Sequence, residues 1–150
     1  MFDPNTFLAD TVTGANDTKY TPVPAGEYPA IIKAVNARQM TSKQDPSKQV
    51  TVTDIVYELD DQAARTATGL DNPTVRQSVF LDLTPQGKLD MSKGKNIGLG
   101  KLRDALGLND PNKPFSFSDL PGRAAIVTVE HTPGKEPGDV YANVSKVGKL

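Results

Sequence analysis

Apolar and polar residues alternate most regularly in "VRQSVFLDL", Val75 to Leu83. Val75, Val79, Leu81 and Leu83 share one parity, and Arg76, Ser78, Phe80 and Asp82 the other, as in a half-buried strand. "VTVTDIVYEL" (Val50 to Leu59) is rich in β-branched residues and predicts a second strand. Upstream, Tyr28 to Ala37 predicts another, starting near Glu27, with Pro29 favouring an edge or strand-start position. "RAAIVTVEH" predicts a fourth strand with Ala125, Val127 and Val129 on one face. "VYANVSKV" predicts a fifth, with Val140, Ala142 and Val144 opposed to Tyr141, Asn143 and Ser145.

The period changes once. Leu99, Leu102 and Leu106 fall at i, i+3 and i+7, an apolar helix face with Ile97 close by, and Gly107 is a stop signal. Residues 1–24, rich in Thr, Asp, Asn and Pro, predict a flexible or docking arm ahead of a domain at 25–150. "DDQAARTATGLDNPT" has poor periodicity and predicts an exposed loop. Three strands, a helix and two strands is the order of the OB-fold, a five-stranded Greek-key barrel whose strand 2–3 face binds oligonucleotides or oligosaccharides. Another small barrel and a β-sandwich are the rival architectures. In the barrel, the leucine face of the helix would plug one end.

Composition narrows the classes. The length of 150 residues suits one domain, and 37% hydrophobic residues allow a modest core. Without cysteine there is no disulfide framework and no thiolate metal site. No apolar run approaches a membrane span, and "MFDPNTFLAD" lacks the basic start of a signal peptide, so a cytoplasmic protein without membrane contact is expected. The net charge of −1 names no partner, but its distribution is uneven. From Gln86 to Arg103 five basic residues face one acid, and from Asp45 to Asp61 five acids face one lysine.

The basic segment contains "SKGKNIGLGKLRDALGL", which suggests a phosphate loop at first sight. The Walker spacing fails: counting from Gly94, the second glycine position holds Leu99, and Leu102 stands where a hydroxyl is required. A dinucleotide fingerprint fails at its third glycine, which is Arg103. Lys93, Lys95 and Lys101 can instead meet a polynucleotide backbone, while the glycines also suit a tight turn into a helix. Other chemistry is sparse. His131 is the only histidine, and Asp54, Glu58, Asp60 and Asp61 read as an acidic strand edge and loop more readily than as a metal site. With no acid–base or nucleophile constellation, neither an enzyme nor a cofactor is expected.

A single-strand binder needs a basic groove and aromatic faces for bases to stack on. If the valines of the third strand face a core, Phe80 and Arg76 point out together. Tyr141 also opposes its apolar set. Tyr57 is ambiguous, because Ile55 and Leu59 share its parity. Lys33 and Arg123 are further candidates for phosphate contacts.

The stretch "SVFLDLTPQGKLDMSKGKNIGLGKLRDALGL", with "LPGRAAIVTV", "GDVYANVSKV" and the "PAGEY" start, resembles small bacteriophage proteins assigned as single-stranded-DNA-binding OB-fold proteins. The similarity covers roughly Pro24 to Val147. It implies noncatalytic coating of single strands in phage DNA replication or recombination, inside the host cell. It places Arg76, Phe80 and the Lys93/Lys95 loop at or near the strand, with replication or recombination proteins as further partners. One departure is the end "NVSKVGKL", which is basic where many single-strand binders carry an acidic recruiting tail. The alternative reading is a structural or adaptor protein. It would use the barrel and the Phe2, Phe7 and Leu8 arm for assembly, including a homo-oligomer.

Overall fold

The computed structural model describes residues 1–150. Five strands form a closed barrel: β1 (Gly26–Thr41), β2 (Gln49–Leu59), β3 (Thr74–Leu81), β4 (Ala124–Pro133) and β5 (Val140–Gly148). Their spatial order is β1-β2-β3-β5-β4, with β4 returning to β1, as the OB-fold requires. All pairings are antiparallel except β3 with β5, a parallel contact registered at one pair, Arg76 with Asn143. Three α-helices accompany them, α1 (Pro4–Ala9) ahead of β1, α2 (Gln62–Thr68) and α3 (Ile97–Ala105), with a short 3-10 helix at Phe117–Asp119 before β4. None is long and apolar enough to cross a membrane.

The expected alternation is visible in β3: Val75 and Val79 are buried, and Arg76, Ser78 and Phe80 are exposed. Tyr28, Ala30 and Ile32 of β1, Ile55, Tyr57 and Leu59 of β2, and Val127 and Val129 of β4 fill the interior with them. Leu99 and Leu102 of α3 are buried against this cluster, each contributing roughly 1.5–3 kcal/mol. Gly107 ends the helix with φ +71°, in the left-handed region that glycine enters most readily.

Several expectations need correction. Strand β1 is longer than Tyr28–Ala37, because a bulge lets it turn a corner. Its register with β2 shifts between Ile32 and Ala34, so its first half pairs with β4 and its second half with β2 alone. Pro29 is inside this strand. Its carbonyl accepts from the Asp60 amide beyond the end of the β1–β2 ladder, so its missing N–H falls where no ladder bond is due. Strand β3 stops at Leu81, and Leu83 makes only an isolated bridge to Leu89.

The segment after β2 is not an irregular loop but α2. Asp61 caps it, accepting from the Ala64 amide at 2.8 Å, and Gly69 closes it at φ +72°. Its buried residue is an alanine, which makes little hydrophobic signal. The arm is likewise not featureless: α1 is capped by Asp3 and carries Pro at its start. Phe2, Phe7 and Leu8 do not dock on the barrel and stay exposed. The end of the arm does dock. Val23 is buried, its carbonyl lies 2.7 Å from His131 Nε2, which must be the donor, and Lys19 pairs with Asp139.

Candidate functional site

The outward residues of β1, β2 and β3 form three rows across the sheet. In the first, Ala34, Val56 and Arg76 are registered, with Lys33 on the bulge beside Ala34 and Asn143 of β5 beyond Arg76. The second is Asn36, Asp54 and Ser78. The third is Arg38, Val52 and Phe80. Three cations and one aromatic ring therefore share a face on which Asp54 is the central acid.

Asp54 is nearly buried and fully engaged. Arg38 Nε donates to one carboxylate oxygen at 2.6 Å, while Arg38 Nη2, at 3.4 Å, and Ser78 Oγ, at 2.7 Å, donate to the other. The hydrogen bond from Arg38 holds the carboxyl below its ordinary range. Burial opposes this, and the Ser78 bond and the positive charges of Arg38 and Arg76 add to it. Asp54 stays an anion whose main effect is to fix Arg38 in place. With one cation neutralised, Arg76 and Lys33 keep the three rows net positive, with Glu58 in the adjoining row registered with Ile31 and Thr74; neither cation has an ion-pair partner.

Phe80 is 60% exposed, unusual for a ring on a strand whose neighbours obey their pattern. The arm does not cover it. Its cross-strand neighbour Val52 is fully buried on this outer face, between Phe80 and Arg38. The ring is thus both a cover for Val52 and an open stacking surface.

Two residues past Phe80, Asp82 begins the connection that carries Lys93 and Lys95. Asn96 clamps its ends together. Its Oδ1 accepts from the Asp82 amide, its Nδ2 donates to the carbonyls of Asp82 and Asp90, and its own amide donates to Asp82 Oδ2. These four bonds, of 2.8–3.0 Å, hold Asn96 at φ +54°, a conformation costly for a residue with a side chain. The lysine loop is therefore a braced element rooted beside Phe80.

The other sequence candidates divide. Tyr57 does not reach the exposed face. It is completely buried, its hydroxyl donates to Gln77 Oε1 at 2.7 Å, and burial pushes its phenol up from the ordinary value. Ile55 and Leu59, of the same parity, line the core with it. Arg123 precedes β4 beside the β1 corner, where its carbonyl accepts from the Ile32 amide; this brings it next to Lys33. Tyr141 is 55% exposed but lies near the arm, lining a hollow of about 630 Å³ with Lys19, Tyr20 and Thr74. By the Arg76–Asn143 register it stands opposite Thr74, six residues and about 20 Å along β3 from Phe80. Lys101 is on α3 and faces β5 rather than the three-row face.

Pattern reading missed Arg38, Asp54, Ser78 and Asn96 as parts of this site. Arg38 and Asp54 are far apart in sequence and meet only through the β1–β2 register. The spacing of Asp82 and Asn96 carries no known signature. Comparison with known proteins adds no assignment: no family model matches the chain, and no curated protein matches it.

Proposed function

We propose that the protein is a sequence-nonspecific single-stranded-DNA-binding protein that takes bases on Phe80 and phosphates on Arg38, Arg76, Lys33 and the Lys93/Lys95 loop. The carrying observation is the shared outward face of Phe80, Arg38 and Arg76 on the β1–β3 side of an OB barrel. Every base has a π-face, so an exposed ring beside cations binds single strands without reading sequence. The resemblance to phage single-strand-binding proteins supports the same reading and makes replication or recombination its setting, in the cytoplasm of the host cell.

Titration of a fluorescently labelled oligo(dT) at two salt concentrations tests it. Binding at micromolar protein in low salt, weakening steeply as salt rises, is expected. No binding under those conditions, or binding indifferent to salt, overturns it.

A second reading is favoured by a separate observation. Phe2 and Phe7 pack against each other in a tilted pair, ring centroids 5.4 Å apart, and remain 69% and 62% exposed. They suit an arm that joins copies of the chain or holds another protein. Arm-dependent assembly in light scattering, without oligonucleotide binding, would make assembly the function instead.

A further inference from the structure

Resting on the single-strand reading above, we infer that the strand's path does not end at β3. It continues across the β3–β5 seam into a cleft between α3 and β5, where Lys101, Lys146 and Lys149 hold a second run of phosphates.

The cleft has a volume of about 700 Å³, and its polar lining includes Gln77, Lys101, Asp104, Ser145, Lys146 and Lys149. Lys101, Lys146 and Lys149 are exposed, and none of them has an ion-pair partner. Asp104 is the cleft's only carboxylate; Glu27 flanks a smaller hollow that adjoins it at Lys146 and Lys149. Three cations against one acid favour an anion. Lysines, which act as point charges rather than planar forks, suit a phosphate chain held without fixed register.

A local irregularity builds the cleft. Along β5, Val144 is buried and paired with Val129, and strict alternation would turn Lys146 inward with it. The β4–β5 register shifts here: Lys146 pairs with Thr128, and Ser145 is the extra residue. The bulge puts Ser145 and Lys146 both outside and returns Val147 to the interior side, paired with Val127. One inserted residue thus redirects a lysine from the core to the face opposite α3. The covering helix is thin at this point, with glycines at 98 and 100 beside Lys101.

Continuity with the first site comes from the seam. Arg76 is registered with Asn143, and Ser145 lies two residues further along β5, about 7 Å on. A strand leaving Arg76 over this edge reaches the cleft with no intervening acid on β5. The path would make the occupied length longer than the three-row face alone can cover.

The test compares oligo(dT) of about 4 and about 16 nucleotides, the span of site sizes for one such barrel. It uses the 150-residue chain and its variant Lys101→Ala/Lys146→Ala/Lys149→Ala. All three lysines are exposed, so the fold should persist; an unchanged Tm checks this. The variant should bind the long oligonucleotide on the order of tenfold more weakly in low salt, with its log–log salt slope reduced by about 2. Binding of the short oligonucleotide should stay within about twofold. In the wild-type protein, the long oligonucleotide but not the short one should protect Lys146 and Lys149 from acetylation. Asp104→Asn should tighten long-oligonucleotide binding alone.

Wild-type affinity and salt slope for the long oligonucleotide in the triple variant would overturn the extended path and leave the single-strand function standing. Equal losses for both lengths would also overturn it, since the lysines would then act as general surface charge. If the wild-type protein bound neither length, the single-strand reading itself would fall.

Discussion

Among the aromatic rings that the protein displays to solvent, Phe80 and the Phe2–Phe7 pair differ in what holds them. Phe80 is fixed by a closed barrel, covers Val52 on its own face and stands in a row with Arg38, which Asp54 anchors. Phe7 belongs to the six-residue helix α1, which has no buried residue, Phe2 lies just ahead of its cap, and the two rings touch each other. Such a short helix gains little stability by itself. A ring held in a frame is preorganised: a base that stacks on it bears the ordering cost alone. A ring on a free arm must be ordered as it binds, which suits capture of a partner better than a defined strand path. Exposure alone does not separate these cases; the surrounding hydrogen bonds do.

The sharpest way to break this contrast is to remove one ring from each place. Phe80→Ala should weaken oligo(dT) binding by about 1–3 kcal/mol, roughly 5- to 150-fold. Because Phe80 also covers Val52, Phe80→Leu is the cleaner variant. It keeps an apolar cover and should lose most of the affinity with little change in Tm. Phe7→Ala should leave both affinity and Tm unchanged. Comparable losses from Phe80→Leu and Phe7→Ala, read by the same fluorescence titration, would show that the frame confers no advantage.

A smaller effect is expected from the frame itself. Asp54→Ala should lower Tm by about 3 °C near neutral pH and weaken binding several-fold, since Arg38 loses its anchor while remaining charged. The carboxyl of Asp54 is held below its ordinary value of 3.8 in the folded protein. Its contribution to stability is therefore complete above the unfolded-state pKa and is lost as pH falls through the lower folded value. The Tm gap between wild type and Asp54→Ala should accordingly be constant from neutral pH down to about 5 and shrink as the pH is lowered further through the depressed folded value. A gap that persisted undiminished in strong acid would mean that the carboxylate's charge is not what holds Arg38.

The two kinds of feature were unequally legible in the chain. Alternation in Val75–Leu81 and the leucine spacing of α3 announce the barrel and its helix, because each buries one face against a single core. Phe80 and Arg76 follow from the same alternation. Tyr57 could not be assigned that way, since β2 is buried on both sides: Val52 and Asp54 on one, Ile55 and Tyr57 on the other. Period-two reasoning fails when neither face is wet. The bulges beside Lys33 and Ser145 invert side-chain direction partway along a strand, so parity read from one end misplaces Lys146. Helix α2 hid because its buried contact is Ala64, and its stability comes from the caps Asp61 and Gly69. The Arg38–Asp54–Ser78 and Asp82–Asn96 groups join residues that only the folded register brings together.

The smallest expected effect concerns the arm, and it decides between the two proposed readings. Deleting residues 1–14 removes α1 with both exposed phenylalanines but keeps Lys19, which pairs with Asp139, and Val23, whose carbonyl meets His131. No residue of the deleted segment is buried. If the arm is an appendage to a finished barrel, Tm should move by less than about 1 °C and oligo(dT) affinity by less than about twofold. Light scattering on the same samples gives the other half of the answer. A deletion that dissolves an assembly while leaving the affinity intact would assign the arm to oligomerisation and the barrel face to the strand, two functions on separate surfaces. A deletion that abolished binding as well would mean that the strand site is completed by the arm of a second copy, and the contrast between the framed and the free rings would collapse.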